Sequence, residues 1–210
     1  MWELVKAGGW LMVPLLLCSI FMLAIAVERF LRLKRQLVLP SSLLMNKSQS
    51  VHQVIQALTQ QPVLEKTTLG AILTEGLESA DQGEAFSRAQ MEAAASREIG
   101  FLEKNINFLG TLSAVAPLLG LLGTVLGIIE SFLGMDLASS GNPTMMIPGL
   151  SKALITTAAG MVVAIPALFA FRYFQRLVQE YVAELEQQST LFHAALFYQK
   201  QGNVVEQKAS

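Results

Sequence analysis

Between Leu102 and Phe132 the chain reads LEKNINFLGTLSAVAPLLGLLGTVLGIIESF. Charge stops at Lys104 and returns only at Glu130, and inside that apolar run stand the hydroxyls of Thr111, Ser113 and Thr124. A second apolar stretch, from about Ile147 to Phe171, carries Lys152 and Thr157. Hydroxyls, one carboxylate and one ammonium in apolar surroundings do not make a nucleophile with its base. They can exchange hydrogen bonds and compensate charge where water is scarce. For each threonine the simplest reading is a bond to a backbone carbonyl one turn back; the other is a polar path. In antiparallel neighbouring helices, positions at equal depth have numbers that add to a constant. Thr124 with Thr157 and Glu130 with Lys152 give almost the same constant. The charged level then lies about six residues, or roughly 9 Å, from the threonine level. A lone charge costs up to about 3 kcal/mol at a bilayer centre and less near its edge. Glu130 and Lys152 therefore either snorkel separately to the interface or form an ion pair between their helices.

These groups need elements that cross a membrane. The stretch before Glu130 exceeds the roughly 20 apolar residues that span a bilayer, and Trp10 to Val27 is just long enough. With the stretch around Thr157 this makes three spans and an all-α membrane protein. Gly110, Gly120, Gly123, Gly127 and Gly160 thin the helices so that backbones can approach closely. Pro117 and Pro166 are expected to kink spans two and three.

Lys and Arg placement sets the direction. Arg29, Arg32, Lys34 and Arg35 follow span one, Arg97 and Lys104 precede span two, and Arg172 and Arg176 follow span three. The loop from Leu133 to Pro148 has neither. By the positive-inside rule the amino terminus is outside and the carboxyl terminus cytoplasmic. The basic cluster after span one is an orientation signal, with anionic lipid headgroups as its alternative ligand. The expected layout is a periplasmic segment 1–9, spans at 10–28, 105–132 and 148–172, a cytoplasmic helical segment 29–104, a periplasmic loop 133–147, and a cytoplasmic helix and tail 173–210. Ala24 and Ala26 resemble a cleavage site, but a signal peptide wants its basic residues before the apolar run, not after it.

The chain has 210 residues, a net charge of -1 and 15% charged residues, well under the roughly 25% of a soluble domain. This balance gives no reason to expect nucleic acid as a partner. The single cysteine, Cys18, excludes an internal disulfide and reads as a small buried hydrophobe. His52 and His193 lack neighbours at ligand spacing, so no metal or other cofactor is implied. No phosphate loop, nucleophile elbow or HExxH occurs, and no enzyme is expected.

Between the first two spans, Pro40-Ser41-Ser42, Gln61-Pro62 and Asp81-Gln82-Gly83 punctuate a polar, helix-like segment. From Glu84 onward Phe86, Ala89, Ala93, Ile99 and Leu102 share a face, predicting a helix that leads directly into span two. After span three, Tyr173, Leu177, Tyr181, Leu185 and Phe192 recur among Arg176, Glu180, Glu184 and Glu186, predicting an amphipathic continuation. Residues Gly202 to Ser210 read as frayed.

The residues LEKNINFLGTLSAVAPLLGLLGTVLGIIESF, PGLSKALITTAAGMVVAIPAL and WELVKAGGWLMVPLLLCSIFMLAIAVERF resemble the MotA/TolQ/ExbB proton-channel family, and its ExbB-like branch in particular. The number of spans fits ExbB and TolQ. The resemblance implies a ring of such subunits, a pentamer, around single-span partners of the ExbD/TolR type. Such rings conduct protons across the inner membrane and energise a TonB-like protein. The essential carboxylate is implied to belong to the partner. Thr124 and Thr157 match the threonines implied to line the pore. Relatives often carry glutamate where Lys152 stands and a neutral residue where Glu130 stands. The alternatives are a TolQ-type subunit serving outer-membrane constriction, or a helical scaffold that conducts nothing. A scaffold has no need of hydroxyls at matched depth.

The topology can be read by labelling single cysteines at Ser50 and Ser140, in a Cys18→Ser background, in intact spheroplasts. An impermeant reagent should reach position 140 and not position 50; the reverse pattern overturns the orientation.

Overall fold

The structure, a computed structural model, describes residues 8–45, 50–137 and 143–209. Most of the expected amino-terminal segment, the centre of the 133–147 loop with the labelling position Ser140, positions 46–49 and Ser210 lie outside these residues. Among the described residues there are helices and turns and no strand. In chain order the helices are α1 (Met12–Arg32), α2 (Arg35–Val38), α3 (Val51–Gln60), α4 (Pro62–Glu65), α5 (Thr68–Glu78), α6 (Glu84–Glu103), α7 (Ile106–Leu137) and α8 (Ile147–Ala209). Tight turns at Ser41–Leu43 and Ala80–Gln82 fall at the Pro40-Ser41-Ser42 and Asp81-Gln82-Gly83 signals, and a further one at Pro143–Met146 opens α8. Three helical stretches, in α1, α7 and α8, are long and apolar enough to cross a membrane. The protein is an all-α, multi-pass membrane protein. The helix that was expected to fray at Gly202 keeps helical backbone to Ala209.

The chain divides into two units: Met1–Arg29 with Asn105–Phe174, and Phe30–Lys104 with Gln175–Ser210. One expectation fails at this division. The helix from Glu84 does not run on into span two, because Lys104 turns to an extended backbone and Asn105 takes φ 62°. Asparagine is among the few residues that visit the left-handed region readily. Here its side-chain amide donates to Glu28 across 3.2 Å. Periodicity carries no signal for a single left-handed residue.

The first unit contains α1 to Arg29, α7, and α8 to Phe174. Both α7 and α8 continue through their prolines, Pro117 and Pro166. Each proline removes one backbone donor from the ladder. Met12, Leu15, Ala116, Val163 and Ala164 form a core, with Cys18, Leu119 and Ala159 packed on it. The outer surface is apolar: Ile20, Leu118, Val162 and Phe169 are each more than 60% exposed. Such a surface suits acyl chains or neighbouring helices, where only the backbone has to find its bonds internally. Arg29 is folded in rather than presented outward. It is 1% exposed and donates to Glu28 at 3.1 Å, which removes it from any headgroup-binding cluster.

In the second unit, Leu33, Val38, Leu39 and Leu43 are buried, and the Tyr181 hydroxyl donates to the Leu33 carbonyl at 2.9 Å. Arg35 pairs with Glu184, and Gln188 accepts from the Met45 amide. Helix α6 lies on α5, and periodicity assigns its inward face correctly at Leu102 and half-buried Ile99 but wrongly in the first half of the helix. Ser87, Met91, Ala94 and Leu102 are buried, while Phe86, Ala89 and Ala93 are exposed. The reason is Gly76 on α5. Its bare backbone receives the Met91 side chain and accepts a 2.8 Å bond from Ser87, so a polar residue defines the inward face. In the carboxyl-terminal part of α8 the buried stripe is Phe174, Val178, Tyr181, Leu185, Gln188 and Phe192, with Tyr173 turned outward. On α6, burial pushes the Glu98 carboxyl above its ordinary range, with Arg97 beside it pulling the other way.

Candidate functional site

The polar residues singled out in the sequence lie along the line where α7 and α8 meet. Glycines set how close the two backbones come. A methyl group on Gly160 would lie 2.6 Å from the Ala116 carbonyl oxygen, and one on Gly127 would lie 2.7 Å from both the Ala153 methyl and the Gly149 carbonyl. On Gly120 it would sit 3.1 Å from the Thr157 Cα, and on Gly123 it would strike the Thr156 side chain. No residue larger than glycine fits these positions without moving a backbone or a wedged side chain. This is the close approach that small residues permit between membrane helices.

Close approach gives the Thr157 hydroxyl a partner on the facing helix. Thr157 Oγ1 donates across the seam to the Gly120 carbonyl at 2.9 Å. Thr124 Oγ1 donates within its own helix, to Leu121 at 2.6 Å. The two threonines thus use the carbonyls of consecutive residues on the same helix, and both keep part of their surface exposed. Along the seam from these groups Lys152 meets Glu130. The ammonium donates to both carboxylate oxygens, at 2.9 and 2.7 Å. The lysine side chain is 27% exposed and the glutamate 51%. The charges are neutralised by each other while one edge of the carboxylate remains open.

Two further residues belong to this line and were not singled out by sequence. Thr156 is 1% exposed, stands against Gly123, and bonds the Lys152 and Ala153 carbonyls at 3.0 and 2.9 Å. Ser131, 4% exposed, divides its hydrogen between the Gly127 carbonyl at 2.8 Å and the Met146 carbonyl at 3.2 Å. The latter bond ties α7 to the turn that opens α8. Their signal was adjacency. Successive helical residues point about 100° apart, so in a Thr-Thr pair one hydroxyl must turn toward the neighbouring helix.

The arrangement presents a sequence of hydrogen-bonding groups with one compensated charge pair in an apolar bundle. Intramembrane polar groups of this kind mark ion and proton pathways more often than anchors.

Comparison with known proteins agrees in kind. Residues 64–187 match the model of the MotA/TolQ/ExbB proton channel family. The chain is 34% identical over 206 residues to the biopolymer transport protein ExbB-like 1 of Synechocystis sp., covering 91% of this chain and 78% of that protein. It is 36% identical over 124 residues to the Tol-Pal system protein TolQ of Haemophilus influenzae, covering 56% and 54% respectively. It is 35% identical over 112 residues to the biopolymer transport protein ExbB of Salmonella typhimurium, covering 53% and 45%. The chain therefore spans about half the length of the TolQ and ExbB proteins it matches. With more than half of its residues inside the family model and a 34% identical relative matched over 91% of this chain and 78% of its own length, the chain belongs to the MotA/TolQ/ExbB proton channel family.

Proposed function

We propose that this chain is the ring-forming subunit of a proton-driven motor in the bacterial inner membrane. It acts with a single-span, ExbD-like partner to energise a TonB-like protein and, through it, transport across the outer membrane. The observation that carries this reading is the hydroxyl-lined, glycine-packed seam between α7 and α8 in a chain of this family. Three helices per subunit are too few to surround a partner span, so a homo-oligomer is required, and the resemblance favours five copies. The positive-inside distribution supports a periplasmic amino terminus and a cytoplasmic carboxyl terminus. The match to an ExbB-like protein over 91% of this chain and 78% of that protein favours this assignment. The TolQ-type role in outer-membrane constriction draws on the slightly higher identity over a shorter stretch.

In this reading Thr124 and Thr157 form a polar belt facing the lumen, where the partner's carboxylate finds hydrogen bonds as it gains and loses protons. A threonine bonded to a backbone carbonyl still has lone pairs with which to accept. Glu130 and Lys152 hold α7 and α8 in register toward the periplasmic mouth and gate it.

Thr124→Val and Thr157→Val keep side-chain shape and remove the hydroxyl. Each should leave assembly intact, as read by native mass spectrometry, and abolish energised uptake. Full uptake by the double variant ends the belt proposal. Glu130→Gln and Lys152→Gln should each weaken detergent-solubilised assemblies, since either leaves a charge uncompensated. The double variant should recover part of the loss, with a coupling of about 0.5–3 kcal/mol. Simple additivity would mean that the two side chains act separately.

A further inference from the structure

The amino-terminal turn has no place in the seam as described so far, yet it touches the charge pair. Gly9 has φ 72°, and its carbonyl accepts the Met12 amide at 3.1 Å where the chain enters α1. A Cβ built on Gly9 would strike the Lys152 Cε and lie 2.9 Å from its Nζ and 3.5 Å from its Cδ. The aliphatic stem of Lys152 therefore runs against bare glycine backbone. Next to it, a Cβ on Gly8 would strike the Met12 side chain and come within 3.5 Å of the Thr156 Cγ2. The Gly8–Gly9 turn is thus packed on one turn of α8, from Lys152 to Thr156.

We infer that Gly9 is a positioning residue for the Glu130–Lys152 pair: its missing side chain leaves the channel along which the lysine stem reaches from α8 to the carboxylate on α7. Two separate constraints select glycine here. One is the left-handed backbone, which most side chains occupy only with strain. The other is the space taken by the stem. The second constraint has a consequence for architecture, because it joins all three spans at one level: the lead-in to α1 confines the lysine, the lysine crosses from α8, and the carboxylate receives it on α7. Changes at the start of α1 should therefore be felt by the pair. The inference rests on the pair proposed above and assigns Gly9 to it.

Asparagine separates the two constraints, since it tolerates φ near +60° but carries a Cβ. Six chains, wild type, Glu130→Gln, Gly9→Asn, their combination, Lys152→Ala and Gly9→Asn with Lys152→Ala, are purified as the detergent-solubilised assembly and their thermal midpoints measured. In the wild-type background Glu130→Gln should lower the midpoint by about 2–4 °C, the scale of one lost interaction in a chain of this size. In the Gly9→Asn background the same replacement should lower it by less than roughly 1 °C, because the ammonium no longer reaches the carboxylate. Gly9→Asn should be almost silent in a Lys152→Ala background, where the stem is gone. An equal effect of Glu130→Gln in both glycine and asparagine backgrounds overturns the positioning role and leaves the pair standing. No effect of Glu130→Gln in the wild type overturns both. If Gly9→Asn alone prevents assembly, recovery in the Lys152→Ala background supports the inference, and failure to recover refutes it.

Discussion

In hydrocarbon, a polar group must find its partner inside the protein, and the distance between α7 and α8 decides whether it does. The seam is built on that constraint. Were Gly120 any larger, the Thr157 hydroxyl would be held away from the carbonyl it bonds at 2.9 Å. An unsatisfied hydroxyl or carbonyl in an apolar setting costs several kcal/mol. Van der Waals contact alone provides little selectivity between helix registers, because lipid tails are as apolar as leucine. The combination of bare glycine backbone and hydroxyls placed opposite it does provide selectivity. A slip by one residue rotates the Thr157 hydroxyl about 100° away from the Gly120 carbonyl.

The charge pair extends the same logic. Glu130 and Lys152 would each oppose insertion alone, and together they present a dipole rather than two charges. Their partial exposure means that solvent and headgroups screen the attraction, so the pair contributes more to register than to raw stability. It lies between two hydroxyls that also span or brace the seam, Ser131 on α7 and Thr156 on α8. Ser131 reaches the turn that opens α8, and Thr156 bonds the carbonyl of Lys152 itself. Such bracing holds α7 and α8 to one another over this stretch.

Much of this was legible in the chain. Uninterrupted apolar length gives the three spans, and the glycines announce close packing before any partner is known. The equal depth of Glu130 and Lys152 follows from helical rise alone, and the structure brings the two together. Other features were hidden for definite reasons. The break at Asn105 depends on one left-handed residue and a bond to Glu28, distant in sequence. The buried face of α6 is set by Ser87 on Gly76, and hydrophobic periodicity passes over serine and small residues. Thr156 was masked by its neighbour: the resemblance pointed to Thr157, while the fold gives the more buried position to Thr156. Arg29 reads as one of four basic residues flanking a span, and only the folded chain shows it enclosed.

The central claim is that one chain's α7 and α8 are locked in a single register by this seam. Zero-length cross-linking of the native pair tests it most directly. A carbodiimide joins a carboxylate only to an amine in contact with it, and the Lys152 ammonium lies 2.7 and 2.9 Å from the Glu130 carboxylate oxygens. Treatment of native membranes should give an amide between Glu130 and Lys152 within one chain, recovered by mass spectrometry from the band of monomer size. Glu130–Lys152 amides found only between chains, or Glu130 coupled to other amines and not to Lys152, would contradict the register and the account built on it.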